Sequence, residues 1–374
     1  MIALGAMSGT STDGIDVAAI QIDSDSPSNL QYLGVISTDF PKNLRNNLLD
    51  LQRIPPTFPQ NSDPISLLLQ ARRDLTRLYI KSCKELLTLL RLDSSSVNVL
   101  GAHGQTLRHR PDLGYTCQIL DGALLATELG IDVVCDFRSK DVALGGQGAP
   151  LVPAFHQAWL NGKQIYAHAA VLNLGGFSNL TLLNGLGNPP TGGDCGPANC
   201  LMDLWAQRAF GQTMDKNGDI ASTGKSIRIL LDEFWKHPFF KQGWPKSTGR
   251  DDFNEQWFNG CLATLEIKPS PEDIMTTLLD LTVKAIKFSL PPLLSQVFVC
   301  GGGAKNSLLI KQLRNACPSI DFLPIEILGL PTQAVEASAF AWLAVQRLVG
   351  DISNCPSVTG ARREGILGAL HLAN

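Results

Sequence analysis

The sequence predicts an α/β fold built in two halves. Apolar strand-like runs alternate with long helix-like segments. A strand–turn–strand unit at the N-terminus recurs near the middle of the chain. The 374 residues are enough for about two domains, and with 44% of them hydrophobic the chain can bury a sizeable core.

The first unit opens the chain. Residues 2–6 are apolar, 8–14 (SGTSTDG) are small and rich in hydroxyls, and 16–22 are apolar apart from Gln21. That pattern reads as strand, tight turn, strand. Glycines let a backbone approach a phosphate, and Ser and Thr hydroxyls donate hydrogen bonds to it. Asp13 repels a phosphate unless Mg²⁺ or its water shell stands between them. Taken alone, the segment reads first as an ordinary hairpin, with phosphate binding the alternative.

Spacing of Leu68, Ala71, Leu75, Leu78, Leu86 and Leu90 predicts a helix over 65–92. Residues 97–102 form a short buried strand that leads into His103, Gly104, Gln105 and Thr106. A helix over 121–129 ends at Gly130. A strand over 133–135 then delivers Asp136, Phe137 and Arg138. The cluster Gly145, Gly146, Gly148, Pro150 and Pro153 is the best boundary by composition. The expected domains are therefore 1–145, joined by 358–374, and 146–357.

The strand–turn–strand returns at 170–183 (AVLNLGGFSNLTLL). A helix over 197–210 has Pro197 in its first turn and Gly211 after its end. Helices are expected over 226–236 and 271–290. A strand over 297–300 runs into Gly301, Gly302 and Gly303, and Asn306 caps a helix over 307–316. The last long helix spans 331–348.

Charge narrows the partners. The 31 basic and 34 acidic side chains leave a net charge of −3 with no basic stripe, which argues against nucleic acid. The nine cysteines have no CxxC pair and no metal-ligand spacing, so they read as reduced cytoplasmic thiols and no bound metal set is expected. The most membrane-like stretch, 334–349, is shorter than the ~20 residues of a span and contains Glu336 and Arg347. A soluble, cytoplasmic chain with no membrane partner is expected.

Three Gly-rich turns follow apolar strands, at Gly9, Gly175 and Gly301. Each alone is a tight turn. Together they suit a nucleotide held between two lobes, with two hairpins at the phosphates and one turn against adenosine. Asp194, in TGGDCGP at 191–197, precedes a helix. It either caps that helix or acts as a general base, on a rigid loop, toward a hydroxyl or water. His103 and His109 lack ligand-spaced companions, which makes a metal site a poor reading. His103 with Gln105 suits recognition of a hydroxylated ligand, and a satisfied buried histidine is the alternative. Arg138 can hold a carboxylate through two bonds or pair with Asp141. Glu336, in an otherwise apolar helix, is a partnered buried carboxylate or a pocket residue. The segment DIASTGKS at 219–226 imitates the end of a P-loop, but Asp219 stands at the first glycine position and no strand precedes it.

These segments resemble the anhydro-N-acetylmuramic acid kinases, of the sugar kinase, heat-shock ATPase and actin superfamily. The resemblance runs nearly end to end. It includes MSGTSTDGID at 7–16, GAHGQTLRH at 101–109, QILDGALLA at 118–126 and DFRSKDVALGGQGAPLVPAFH at 136–156. LNLGGFSNL at 172–180, GDCGPANCLMD at 193–203, PKSTGRDDF at 245–253, CGGGAKN at 300–306 and EASAFAWLA at 336–344 complete it.

The resemblance implies a two-lobed, actin-like (ribonuclease H-like) ATPase fold with a central cleft. It implies an ATP- and Mg²⁺-dependent kinase that hydrolyses the 1,6-anhydro bridge of 1,6-anhydro-N-acetylmuramic acid and phosphorylates O6. N-acetylmuramic acid 6-phosphate and ADP are the implied products, within cell-wall recycling, and a homodimer is implied. The family's base falls on Asp194. Its first phosphate loop maps to Gly9, Thr10, Ser11, Thr12, Asp13, Gly14 and Asp16. Gly175, Gly176 and Asn179 look like a second phosphate loop, and Gly301, Gly302, Gly303 and Asn306 like the adenosine turn. His103, Gln105, Asp136, Arg138 and Glu336 look like sugar-side residues. The sequence departs from the family pattern at Cys195 (threonine is usual), Gly193 (an aromatic is common) and Asp251 (glutamate is usual). Cys195 is expected to weaken any hydrogen bond made beside the base. A simple kinase of another hexose and a non-catalytic, ATP-gated sugar-binding module are the rival readings.

Overall fold

The computed structural model describes residues 1–9, 12–23, 28–53, 63–266 and 268–374. Thr10 and Ser11 of the expected phosphate loop lie outside the described residues. The chain divides into two compact units, Met1–Ile165 with Gly329–Asn374, and Tyr166–Leu328.

The first unit starts with the expected hairpin, β1 (Ile2–Met7) and β2 (Gly14–Ile22), paired antiparallel with Met7 opposite Asp16. β3 (Leu30–Asp39) extends it antiparallel. β4 (Val99–Ala102) joins β1 in parallel. β5 (Gln105–Arg110) and β6 (Tyr115–Ile119) form a separate two-stranded ribbon. β7 (Val133–Cys135) joins β4 in parallel, and the strand Ala369–His371 closes the sheet beyond it. The order is therefore β3-β2-β1-β4-β7 and then the C-terminal strand. Residues 3–6 of β1 are all buried, as expected of a strand covered on both faces. Leu4 and Ala6 point into a core with Leu75, Tyr79 and Leu86 of the helix Pro64–Leu90.

The opposite face explains two glycines. Gly5 and Gly101 are partners in register on β1 and β4. A Cβ on Gly5 would lie 1.8 Å from the Ala337 carbonyl oxygen, and one on Gly101 would lie 2.0 Å from that of Phe340. The helix Thr332–Val349 thus rests its own backbone on the sheet. Its small residues Ala334, Ala337, Ala341 and Ala344 are fully buried. This packing assigns 329–357 to the first unit and corrects the expected return at 358.

The expected boundary at 145/146 also moves. The glycine cluster is tied inside the first unit: Gly148 N donates to Asp141 Oδ2 (2.8 Å) and Gln147 N to Thr359 O (2.7 Å). The helix Val152–Gly162 packs against Thr332–Val349, and the unit ends at Ile165. Glycines here serve a tight internal turn around a buried carboxylate rather than a linker.

The second unit repeats the plan. β8 (Ala167–Leu174), β9 (Phe177–Asn184) and β10 (Thr191–Pro197) pair antiparallel, and β11 (Gln296–Cys300) and β12 (Asp321–Pro324) add in parallel on the far side of β8. The order β10-β9-β8-β11-β12 reproduces β3-β2-β1-β4-β7. A three-strand meander followed by two parallel strands is the ribonuclease H-like arrangement, and it is present twice. Its core joins β8–β11 to the helices Asn199–Phe210, Pro271–Ser289 and Ser307–Ala316. Ser270 caps the second of these, with Glu272 and Asp273 in its first turn and Lys287 in its last, each charge complementing the helix dipole.

Candidate active site

In the second unit, Asp194 lies within β10 rather than in a loop. The helix after it begins at Asn199, and its N-cap, Ala198, provides no side-chain bond, so Asp194 does not cap it. Thr248 N donates to Asp194 Oδ2 at 2.8 Å. Asp194 N donates to Lys246 O at 3.0 Å. Burial pushes the carboxyl up to about 7, against the pull of the Thr248 amide and the Lys246 ammonium. A carboxyl that ionises near neutral pH suits proton abstraction.

A β-bulge falls between Asp194 and Gly196, with Asp194 opposite Asn179 and Gly196 opposite Ser178. Such bulges re-aim side chains. Cys195 is the extra residue, and it points into the hydrophobic core at 1% exposure. Its thiol is pushed up to about 12 by burial and faces the Ser289 and Ser178 hydroxyls. The departure from threonine therefore places a thiol in the core against Ser289 and Ser178, directly after Asp194, whose charge also acts on it. Gly193 has its own reason. A Cβ there would lie 2.7 Å from Lys246 O and 3.1 Å from the Trp244 ring. Trp244 supplies aromatic surface next to this position, and its indole N–H reaches Asp194 O at 3.5 Å.

The two turns of this unit meet. Gly301, at φ 83°, would bring a Cβ within 2.3 Å of Asn173 Oδ1, and Gly303 packs on Leu174. Asn199 Nδ2 donates to Leu174 O (3.1 Å) and Gly175 O (2.8 Å), fixing the β8–β9 turn to the start of the helix Asn199–Phe210. Gly302 has open space around it. Asn306 is the side-chain cap of Ser307–Ala316, donor Leu309 N at 3.0 Å. That gives it a structural task within the expected adenosine turn.

In the first unit, the expected phosphate turn is held from three sides. Gln105 Nε2 donates to Gly9 O (3.0 Å). Tyr79 OH donates to Ser8 Oγ (3.0 Å), which donates to Gly104 O (2.8 Å). Thr12, in the left-handed region at φ 56°, receives Arg45 Nε on its carbonyl (2.9 Å) and donates its hydroxyl to Gln52 Oε1 (3.2 Å). Gln52 Nε2 in turn donates to Thr106 O (2.8 Å). A strained residue held by so many partners is typical of a working site. Asp16 accepts from the Ser37 hydroxyl, and burial and Asp13 both raise its carboxyl. Gly14 opens β2 with its N-terminal neighbour Asp13 exposed.

The residues expected on the sugar side converge less uniformly. Arg138 Nε donates to His103 Nε2 (2.9 Å), and Arg138 Nη1 to Gly148 O (2.7 Å). His103 Nδ1 faces Gly104 O at 2.8 Å. His103 is thus the satisfied buried histidine, held neutral by burial and Arg138. Gln105 gives its Nε2 to Gly9 O, while its buried Oε1 has no hydrogen-bond partner among the described residues. Arg138 is pushed down to about 10 by burial, with Glu336 and Asp141 opposing. Glu336 is raised by burial, with Arg138 opposing and Asp16 adding to the rise. Asp141 is taken by Gly148 N, Asn354 Nδ2 and Thr359 Oγ1, so Arg138 is not simply its ion-pair partner. Asp136, at φ 53°, accepts from Ser139 Oγ (2.5 Å).

Sequence reading gave no role to Trp244, Lys246, Thr248, Tyr79, Gln52 or Asn199. Trp244 is the neighbour of the motif PKSTGRDDF, which was visible. Its pairing against β10 was not, because that contact is nonlocal.

The whole chain, residues 1–373, matches the family model "Anhydro-N-acetylmuramic acid kinase". An anhydro-N-acetylmuramic acid kinase of Shewanella amazonensis is 42% identical over 374 residues, covering 98% of this chain and 97% of its own. One of Bordetella pertussis is 43% identical over 375 residues, covering 99% and 96%. Among solved structures, component A of the Acidaminococcus fermentans (R)-2-hydroxyglutaryl-CoA dehydratase is similar at TM-score 0.47 and 11% identity, covering 93% of this chain and 99% of its own. The family match and these relatives, over nearly the whole chain, define the class as a phosphotransferase. Within it, the chain belongs to the anhydro-N-acetylmuramic acid kinase family.

Proposed function

We propose that Asp194 is the general base of an ATP-dependent kinase that opens 1,6-anhydro-N-acetylmuramic acid with water and phosphorylates O6. The observation that carries this is the Asp194 carboxylate. It is fixed by one backbone amide at 2.8 Å and ionises at about 7. It therefore exists as a base at neutral pH and is oriented before substrate arrives.

Asp194 takes a proton from water as the water oxygen bonds to C1. The C1–O6 bond breaks, and O6 keeps its electron pair and bonds to the γ-phosphorus of ATP. The bond from that phosphorus to the β-γ bridging oxygen breaks, and ADP leaves. One carboxylate suffices because the oxygen freed from C1 is itself the nucleophile for phosphorus. The backbone of Gly9, Thr10, Ser11 and Thr12, with Gly175, Gly176 and Asn179, is assigned to the phosphates, and Gly301, Gly302 and Gly303 to adenosine. Arg138 and Glu336 are assigned to the sugar, with His103 and Gln105 holding their surroundings.

Among the described residues no group of three His, Cys, Asp or Glu could hold a metal alone. The donor set at the first turn, the carboxylates of Asp13 and Asp16, fits Mg²⁺ arriving on the nucleotide, since this ion keeps its waters and takes one or two carboxylates. When bound it would offset phosphate charge. No helix among the described residues is long and apolar enough to cross a membrane. The family resemblance supports a cytoplasmic homodimer as part of this proposal.

Reaction in ¹⁸O-water tests the reading. It predicts label on the C1 hydroxyl of the product and none in the O6 phosphate. Product without label at C1 contradicts it and favours direct phosphorylation of a sugar hydroxyl.

A further inference from the structure

Lys246 is a buried lysine that no step above uses. It is 9% exposed, and burying an ammonium is costly unless something answers its charge. Residues 244–248 run beside β10 and are bonded to it at Asp194 alone three times. Asp194 N donates to Lys246 O, Thr248 N donates to Asp194 Oδ2, and Trp244 Nε1 reaches Asp194 O. The lysine side chain turns toward Phe239. Nζ donates to Phe239 O at 3.2 Å and lies 4.2 Å from the ring centroid. A cation over an aromatic face is held in place without being neutralised. Among the described residues Lys246 has no carboxylate in ion-pair range. The titratable groups that face it are Asp194 and Cys195 on β10. Lys246 is the charge that acts on Asp194, and the other titratable neighbour, Cys195, carries a thiol that burial keeps protonated.

We propose that Lys246 is a positioning residue for the general base, an ammonium fixed on Phe239 so that its field favours the ionised form of Asp194. The proposal rests on the assignment of Asp194 as base. Burial drives the Asp194 carboxyl up, and the Lys246 charge acts against that rise. Removing the charge leaves the carboxyl protonated over more of the neutral range, where it cannot accept a proton. Phe239 and Phe240, packed on one another and on Phe253, give the ammonium a rigid seat.

The test is the pH dependence of kcat/KM for sugar-dependent ADP release in the wild type, Asp194→Asn, Lys246→Met and Lys246→Arg. The wild type should show an acidic limb that Asp194→Asn abolishes. Lys246→Met should move that limb up by about one pH unit, with ATP binding kept and activity recovering at high pH. Lys246→Arg should restore the limb. Should Lys246→Met not fold, Lys246→Gln removes the charge while keeping a donor for Phe239 O, and the same shift is expected. A limb that depends on Asp194 but is unmoved in the folded, uncharged variant overturns this proposal alone. A wild-type profile without an Asp194-dependent limb overturns the base assignment and this proposal with it.

Discussion

Arg138 donates its Nε hydrogen to Nε2 of His103 at 2.9 Å. That single bond fixes the chemistry of both groups. His103 Nε2 must be an acceptor, so its proton lies on Nδ1, facing Gly104 O. The imidazole cannot gain a second proton without breaking the bond to Arg138. The guanidinium in turn is aimed by the ring and by Gly148 O.

His103 is therefore expected to stay neutral across the working range. Burial comes first and the Arg138 charge second in holding it well below the ordinary histidine range. Nitrogen-15 NMR of the imidazole should show one tautomer, protonated at Nδ1, with no titration between about pH 5.5 and 8. A ring that titrates near its ordinary 6.5 would contradict the assigned bond.

Gly5 and Gly101 should tolerate no side chain, because helix backbone lies on both. Gly101→Val is expected to lower stability by about 3 kcal/mol, as overpacking does at such contacts, read from the urea midpoint. Gly114, which has no atom within 4 Å of an added Cβ but a φ of 77°, is a control for backbone strain alone. A Gly101→Val protein as stable as the wild type would show that the helix is not seated there.

Gly302 gives the opposite test. A Cβ there meets nothing within 4 Å, so Gly302→Val should fold with an unchanged melting temperature. If this turn packs against adenosine, ATP binding measured by calorimetry should weaken about tenfold or more, a cost of about 1.4 kcal/mol. Unaltered affinity in a stable variant would remove the turn from the nucleotide site.

The hairpins were legible because both strands of each are apolar and the turn between them is glycine-rich. That pattern is local, and it placed β1, β2, β8 and β9. β10 was not legible as a strand. Gly192, Gly193, Asp194, Gly196 and Pro197 are poor strand formers, and nonlocal pairing with β9, together with the Asp194–Lys246 backbone bond, holds them extended. The unit boundary failed for a similar reason. Gly146 and Gly148 look like a linker, but they wrap the buried Asp141 carboxylate, whose other partners, Asn354 and Thr359, are over 200 residues away. Asp194, Arg138 and Glu336 were found as residue types in motifs. The bonds that orient Asp194 and Arg138 are nonlocal and have no sequence signal.

Asp194 also sets a pH trend in stability. In the unfolded chain it ionises at the ordinary 3.8, and in the folded one at about 7. Between those values the folded state holds the extra proton, so the unfolding free energy falls as pH rises through that window and levels above it. Asp194→Asn should flatten this slope in urea titrations from pH 4 to 8. An identical slope in the variant would mean that the carboxyl ionises normally.

The most direct test of the central claim is turnover by Asp194→Asn on 1,6-anhydro-N-acetylmuramic acid, followed by coupled ADP release. Retained ATP binding and a native melting curve are expected, with kcat reduced by about 10²–10⁴ or more, the scale of a lost general base. Turnover within a fewfold of the wild type would contradict that claim.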